Sequence, residues 1–244
     1  MLHTSTLLPA LIKIVAWTAL SSLVASTSAY ANCENTDIKP GLQQLFSKSW
    51  GTEYSGERFQ SSANTSINAD NASTLSLKWA YGLSTDQPRS YPLVTEDTLF
   101  IGDGGRGLVA LDKETGCVRW ENNSIKDIST SIISEQVDGR TLLIFSGRRS
   151  GVHAVDASTG DNVWSSVPKV HPVPLFSGSP LAYKDTIFVP ISSLEIGLSA
   201  NPFYGCCTTS GGMAALDIRT GELLWYRPTI EKAGSVITGK HYLF

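Results

Sequence analysis

The sequence holds 244 residues with 19 Lys and Arg against 22 Asp and Glu, a net charge of −3, and so carries no electrostatic footprint for nucleic acid. Charged residues make up only 17%. Gly, Ser, Asn and Thr clusters punctuate short apolar runs, and no long stretch has a helical period, which argues for an all-β chain.

The first segment reads as an address. His3 and Lys13 precede an apolar run from Ile14 to Val24, and Ala29-Tyr30-Ala31 supplies a small-x-small cleavage signal before Asn32. The run is too short, and too rich in Ser and Thr after Leu20, to span a bilayer comfortably. Residues 1–31 are therefore expected to be a signal peptide, with no membrane span in the mature chain and a periplasmic or secreted destination. Such a compartment is oxidising and preserves disulfides. The four cysteines, Cys33, Cys117, Cys206 and Cys207, allow three pairings. Cys206 and Cys207 either pair with each other, which leaves Cys33–Cys117 to tie the N-terminal arm to the first full repeat, or each takes a distant partner.

Residues 32–78 form an arm, in which Thr36 to Phe46 suggests a short helix interrupted at Pro40-Gly41, and Ile67 to Leu77 leads to an outer strand closed by Trp79. Residues 79–244 are organised by a phrase used three times. Ala110, Asp112, Thr115, Gly116 and Trp120 recur as Ala154, Asp156, Thr159, Gly160 and Trp164, then as Ala215, Asp217, Thr220, Gly221 and Trp225. The Asp can accept backbone N–H bonds of the turn that follows, and the Gly supplies its positive φ. A small Ala beside a large Trp at fixed offset points to a ring lodged against the adjacent repeat. Apolar residues on both faces of Gly107 to Asp112 suit a sheet with neighbours on either side.

Trp79, Trp120, Trp164 and Trp225 are spaced by 41, 44 and 61 residues. A period near 40 to 45 residues with four strands in each reads as a β-propeller. The expected first strands are Tyr91 to Val94, Ile128 to Ile133 and Gly178 to Tyr183 of successive repeats. The extra length of the third repeat falls between its second and third strands, from about Ser192 to Gly211. In antiparallel blades that loop shares an end with Glu121 to Asp127 and Ser165 to Leu175, opposite the Thr-Gly turns. These loops should gather over one mouth of a central channel, where binding residues concentrate. Gly104-Gly105-Arg106-Gly107 reads as a turn between strands, since no phosphate-loop Lys and no helix follow it.

The repeated phrase resembles the tryptophan docking motif of quinoprotein alcohol dehydrogenases, eight-bladed propellers that hold pyrroloquinoline quinone (PQQ) in the channel. Cys33 ahead of Trp50-Gly51, Arg58-Phe59-Gln60, Thr115-Gly116-Cys117, Val189 to Glu195 and Tyr204-Gly205-Cys206-Cys207-Thr208 look like the polyvinyl alcohol dehydrogenases of that group. The resemblance implies periplasmic oxidation of an alcohol substrate by PQQ, with Ca²⁺ polarising the quinone and a periplasmic electron acceptor. It implies a Cys206–Cys207 disulfide lid over the cofactor. Glu195, in the same inserted loop near the mouth, is a candidate metal ligand, since a hard cation takes carboxylate oxygens, or else a solvated loop carboxylate. Such a chain would be about half of an eight-bladed ring, inactive alone, with the catalytic base on later blades.

One departure weakens the catalytic reading. The family places an Arg shortly after the vicinal cysteines to pair with a cofactor carboxylate, and this chain has Thr208-Thr209-Ser210-Gly211 there. Lys169, Arg148 and Arg149 are candidate substitutes. The alternative is a non-catalytic propeller scaffold that binds protein partners in the cell envelope.

Overall fold

The computed structural model describes residues 31–38, 50–51, 57–85 and 88–231. The signal peptide reading lies outside these except for Ala31, as does most of the suggested helix from Thr36 to Phe46. The described residues form three antiparallel sheets in chain order. Blade 1 is β1 (Leu93–Val94), β2 (Thr98–Asp103), β3 (Gly107–Asp112) and β4 (Val118–Asn122). Blade 2 is β5 (Ile133–Val137), β6 (Arg140–Gly147), β7 (Gly151–Asp156) and β8 (Asn162–Ser166). Blade 3 is β10 (Leu181–Tyr183), β11 (Thr186–Ser193), β12 (Gly212–Asp217) and β13 (Leu223–Pro228), with β9 (Pro174–Leu175) paired to the end of β11. A single helical turn, α1 (Glu195–Leu198), lies in the β11–β12 loop. Four-stranded blades with docking tryptophans are the expected propeller architecture.

The strand expectations needed two corrections. The first strand of blade 2 begins at Ile133, not Ile128, because Asp138 (φ 49°) and Gly139 (φ 79°) make a tight hairpin turn that pairs Val137 with Arg140. Ile128 contributes only an isolated bridge to Gly147. No strand runs up to Trp79 either, since no neighbouring strand offers that segment a ladder among the described residues.

Each Thr-Gly turn is built in the same way. Asp112 Oδ1 accepts the N–H groups of Glu114 and Thr115 at 3.0 and 2.8 Å, and Gly116 N–H donates to the Asp112 carbonyl at 2.8 Å. Asp217 repeats this with Arg219 and Thr220 at 2.9 and 3.0 Å. Immediately beyond each turn the ladder slips by one residue: Ala110 faces Trp120, but Leu111 faces Val118, so Arg119 is bulged. The same slip follows Ala154 and Ala215, bulging Val163 and Leu224. A bulge bends its strand and re-aims the next side chain. Here that side chain is the docking Trp.

The indoles then join the blades. Trp79 N–H donates to the Lys113 carbonyl at 2.9 Å, Trp120 to Ala157 at 3.1 Å and Trp164 to Ile218 at 3.0 Å, each time the residue after the Asp of the following phrase. Each ring also covers the turn glycine. A Cβ on Gly116, Gly160 or Gly221 would lie 2.6, 2.7 or 2.5 Å from the Trp79, Trp120 or Trp164 ring. These glycines are therefore needed for close approach as well as for their φ of 72° to 80°. Leu108 and Ala110 on one face of β3 pack toward Leu143, Phe145 and Val155 of blade 2, while Val109 and Leu111 on the other face pack with Trp79 and Tyr81. At the inner edge Tyr91 bridges Ser131, and β5 lies beside β10. Contacts at both inner and outer edges make the sheets fan around one axis.

The arm is tied to this frame by a disulfide between Cys33 and Cys117, 84 residues apart, which by loop-closure entropy contributes about 4.5 kcal/mol. The bulged Arg119 reinforces it, pairing with Asp112 at 2.6 Å and donating to the Asp37 carbonyl.

Trp164 is 9% exposed and Trp225, with no following repeat among the described residues, is 40% exposed. Urea unfolding should therefore show Trp164→Ala costing about 3–5 kcal/mol and Trp225→Ala about 1–2 kcal/mol. Gly160→Ala should cost about 2–3 kcal/mol from positive φ and overpacking together. Equal losses at Trp164 and Trp225 would contradict the docking account.

Candidate functional site

The loops opposite the Thr-Gly turns meet in pairs. In blade 1, Ser84 N–H donates to Asp103 at 3.1 Å and Gly105 N–H to Ser84 Oγ at 2.8 Å. In blade 2, Asp127 accepts the N–H groups of Arg149 and Ser150 at 2.7 and 3.2 Å. In blade 3, Leu194 N–H donates to the Val173 carbonyl at 2.9 Å and Ser192 Oγ to the Leu175 carbonyl at 3.2 Å. The approach to each blade is thus pinned to its β-turn or insertion, which makes a continuous rim.

The insertion of blade 3 rises from this rim. Cys206 and Cys207 form a vicinal disulfide across a cis peptide. On either side of the pair, Tyr204 and Thr208 reach back to one buried side chain, Glu195, which is 1% exposed. Its carboxylate accepts from Tyr204 Oη at 2.8 Å, Thr208 N at 2.9 Å, Thr208 Oγ1 at 3.1 Å, Thr209 N at 2.6 Å and the Thr209 hydroxyl. The Glu195 N–H itself donates to Ser193 Oγ at 3.1 Å. The Thr208 N–H first, then the Thr209 hydroxyl, hold its carboxyl down to about 2. Glu195 is therefore an anion solvated by neutral donors, a post around which the cysteine segment is wrapped. Metal ligation at this carboxylate would compete with those donors.

Sequence reasoning missed a second polar cluster. Asp127 Oδ1 accepts from Ser150 Oγ, Ser150 Oγ lies 3.0 Å from His153 Nε2, and His153 Nδ1 lies 2.8 Å from Ser165 Oγ. With the Ser150 hydroxyl donating to Asp127, Ser150 Oγ is left to accept from His153 Nε2–H, and Nδ1 accepts from the Ser165 hydroxyl, so the ring is neutral. Burial pushes His153 down to about 4, against the opposing pull of Asp127. Burial works against the Asp127 carboxylate too, but the Ser150 hydroxyl and the Arg149 and Ser150 N–H groups keep its pKa below the ordinary value. Only the position of His153 midway along a buried β7 hints at this in the sequence.

A family model described as PQQ_2, outer membrane protein assembly factor BamB, matches residues 55–238. The chain belongs to this PQQ-repeat propeller family. A polyvinylalcohol dehydrogenase from Sphingopyxis sp. (strain 113P3) is 32% identical over 187 residues, covering 75% of this chain and 28% of that protein. Another polyvinylalcohol dehydrogenase, from Pseudomonas sp, is 29% identical over 187 residues, covering 75% of this chain and 29% of its own length. The crystal structure of the quinohemoprotein alcohol dehydrogenase from Comamonas testosteroni superposes with a TM-score of 0.52 at 21% identity, over 68% of this chain and 24% of that one, which supports the fold. The chain spans under a third of the length of these curated relatives.

Among the members' expected site residues in this PQQ-repeat chain, the structure brings Cys206, Cys207 and Glu195 into one loop and Arg148 into a cleft between blades 1 and 2, without Arg149 or Lys169. Among the described residues no three His, Cys, Asp or Glu side chains converge as a metal group. No described helix is long and apolar enough to cross a membrane.

The two buried groups give separate acid signatures. Because the unfolded chain protonates Glu195 near its ordinary 4.5, the contribution of this carboxylate is full above that pH and is lost as pH falls toward 2. Amide exchange at Thr208 and Thr209, corrected for intrinsic rates, should lose protection over that window, and Glu195→Gln should show about a tenfold loss already at pH 7. For His153 the unfolded chain takes up a proton near 6.5 and the folded chain only near 4, so stability declines between these values, by about 3 kcal/mol. Denaturant unfolding at pH 7 and pH 4 should show this decline in the native protein and a smaller one in His153→Gln.

Proposed function

We propose that this chain is the N-terminal part of a periplasmic PQQ-dependent dehydrogenase that oxidises secondary alcohols of the polyvinyl alcohol kind, contributing channel wall and lid and inactive by itself. The observation that carries this reading is the vicinal disulfide held over the rim by Glu195, on a propeller whose relatives are named polyvinylalcohol dehydrogenases. Cys206 and Cys207 are half-buried and bracketed by Tyr204 and Thr208, both tied to Glu195, so they would present a disulfide at a fixed position to one face of a planar ring system. Half-buried Arg148 at the same rim suits a carboxylate of such a group.

When bound, PQQ supplies the two-electron acceptor for conversion of a carbinol to a carbonyl. This chain's share is positional. Glu195 fixes the cysteine segment through hydrogen bonds on both sides of it, and the paired rim loops fix the wall beneath. The docking tryptophans set the distance between blades and so the width of the channel.

A second reading, a scaffold for protein partners in the envelope, draws support from the assembly-factor description of the family. Titration with PQQ and Ca²⁺ separates the two. Cofactor binding should raise the thermal midpoint and perturb the quinone absorbance, and Cys206→Ala/Cys207→Ala should weaken both. Absence of any shift at micromolar PQQ and millimolar Ca²⁺ would remove the cofactor reading for this chain and leave the scaffold.

A further inference from the structure

The insertion of blade 3 carries no charged side chain from Ile196 to Leu216, 21 consecutive residues in a chain that is 17% charged. Glu195, at its root, is buried and taken up by its donors. Two large apolar residues nevertheless turn outward from this loop, Phe203 at 94% and Ile196 at 77% exposure. We propose that the outer face of the insertion is a binding surface for an uncharged polymer whose apolar backbone carries hydroxyl groups. It would hold the substrate chain on either side of the carbinol being oxidised. That role rests on the alcohol-oxidising reading above, whereas the binding itself needs no cofactor.

Both side chains are presented from fixed backbone. Asn201 to Tyr204 make a turn in which the Tyr204 N–H donates to the Asn201 carbonyl at 3.0 Å and the Phe203 N–H to Asn201 Oδ1 at 3.0 Å, while Pro202 presets φ at the second position. Tyr204 is itself held by Glu195 at 2.8 Å. Ile196 lies in α1, which Ser199 closes by donating its N–H to the Glu195 carbonyl and its hydroxyl to the Ile196 carbonyl, both at 2.8 Å. Apolar surface held in water gains free energy when a ligand covers it, and little backbone entropy is left to lose.

The chemistry of this face selects its occupant. A protein partner is steered and kept in register by charge, and the insertion has none to offer. An anionic lipid surface calls for Lys or Arg beside the apolar residues, and the insertion supplies neither. What stands beside Phe203 is the exposed amide of Asn201, whose Nδ2 donors are uncommitted among the described residues. A ring face next to an amide donor suits a chain that alternates methylene and carbinol groups, since the ring covers C–H bonds and the amide donates to a hydroxyl oxygen. Phe203 precedes Cys206 by three residues and so lies within about 11 Å of the disulfide along the chain. A polymer spans that distance where a small alcohol does not. Each contact is weak, but a chain of repeated units offers many, so affinity rises with length.

The test uses the full chain without cofactor and reads affinity by calorimetry for three probes. These are polyvinyl alcohol, pentane-2,4-diol as its two-unit fragment, and polyacrylate, which has the same backbone but carries carboxylates. Native protein should bind polyvinyl alcohol, with less than about twofold weakening as KCl rises. It should bind the diol at least about tenfold more weakly per hydroxyl group and polyacrylate at least about tenfold more weakly than the alcohol. I196S/F203S should lose about fivefold or more for polyvinyl alcohol. L77S removes an exposed leucine from the arm and should change the affinity by less than about twofold. Should the double variant fail to fold by circular dichroism, F203S and I196S are read singly.

Equal weakening by L77S and I196S/F203S would reduce the effect to general adhesion and overturn the surface. So would failure of polyvinyl alcohol to bind, equal binding of polyacrylate, or polymer binding that the insertion variants leave intact. Should I196S/F203S abolish attachment to phosphatidylcholine vesicles, or dimerisation in sedimentation, while polymer binding persists, the face belongs to a membrane or to a second copy and the proposal falls. Polymer binding that drops in I196S/F203S, in a chain that takes up no PQQ, would keep the surface and discard the cofactor reading. PQQ uptake without polymer binding would do the reverse.

Discussion

The indole of one repeat seated on the turn glycine of the next is the contact on which the remaining structure depends. It combines an apolar ring burial worth about 4 kcal/mol with an N–H bond to a backbone carbonyl. A turn with only positive φ would accept Asn or Asp at some cost, but a turn lying under a ring accepts no Cβ at all. The repeat is constrained from two directions, and this is why one short phrase carries so much of the architecture. The bulge just before each Trp belongs to the same device: without the slip after Ala110, Ala154 and Ala215 the ring would stay in register with its own sheet instead of crossing to the neighbour.

Docking at one end leaves the other end free to vary. The Thr-Gly turns are locked against the neighbouring blade, so an insertion there would break the ring. The β11–β12 loop lies at the opposite end and can lengthen at small entropic cost, since each doubling of a loop costs only about 0.6 kcal/mol. A long loop still needs an internal anchor, and Glu195 provides it. Its burial would be prohibitive for a bare carboxylate, but hydroxyl and amide donors from Tyr204, Thr208 and Thr209 replace the lost water. The vicinal cysteines sit between those ties, so their position is set by the carboxylate and not by the rim alone.

These relations explain what the sequence disclosed. Fixed spacing of Asp, Thr, Gly and Trp reports a turn and a contact that recur, and both were legible because backbone geometry dictates residue type. The start of β5 was not, because the Asp138-Gly139 turn appears once and the branched residues from Ile128 to Ile133 look equally suited to a strand. The sequence suggests a strand ending at Trp79, whereas its ring docks from a segment with no ladder among the described residues; the side-chain contact survives without one. The Glu195 ring of donors stayed hidden because Thr208 and Thr209 follow it by 13 and 14 residues, a distance with no periodic signature. The His153 cluster stayed hidden because it joins three segments through two serines, the least distinctive of polar residues.

The rim therefore separates charges by role. Carboxylates at the mouth, Asp103, Asp127 and Glu195, are each consumed by backbone amides and hydroxyls, so they shape loops and repel little. Lys126 and Arg148 have no such duty, and half-buried Arg148 has no ion-pair partner among the described residues. A fold that neutralised its cations for stability alone would have paired them with the acids a few residues away. Spending the acids on backbone instead ties the loops of the mouth to one another, with amides and hydroxyls taking the place that ion pairs would fill.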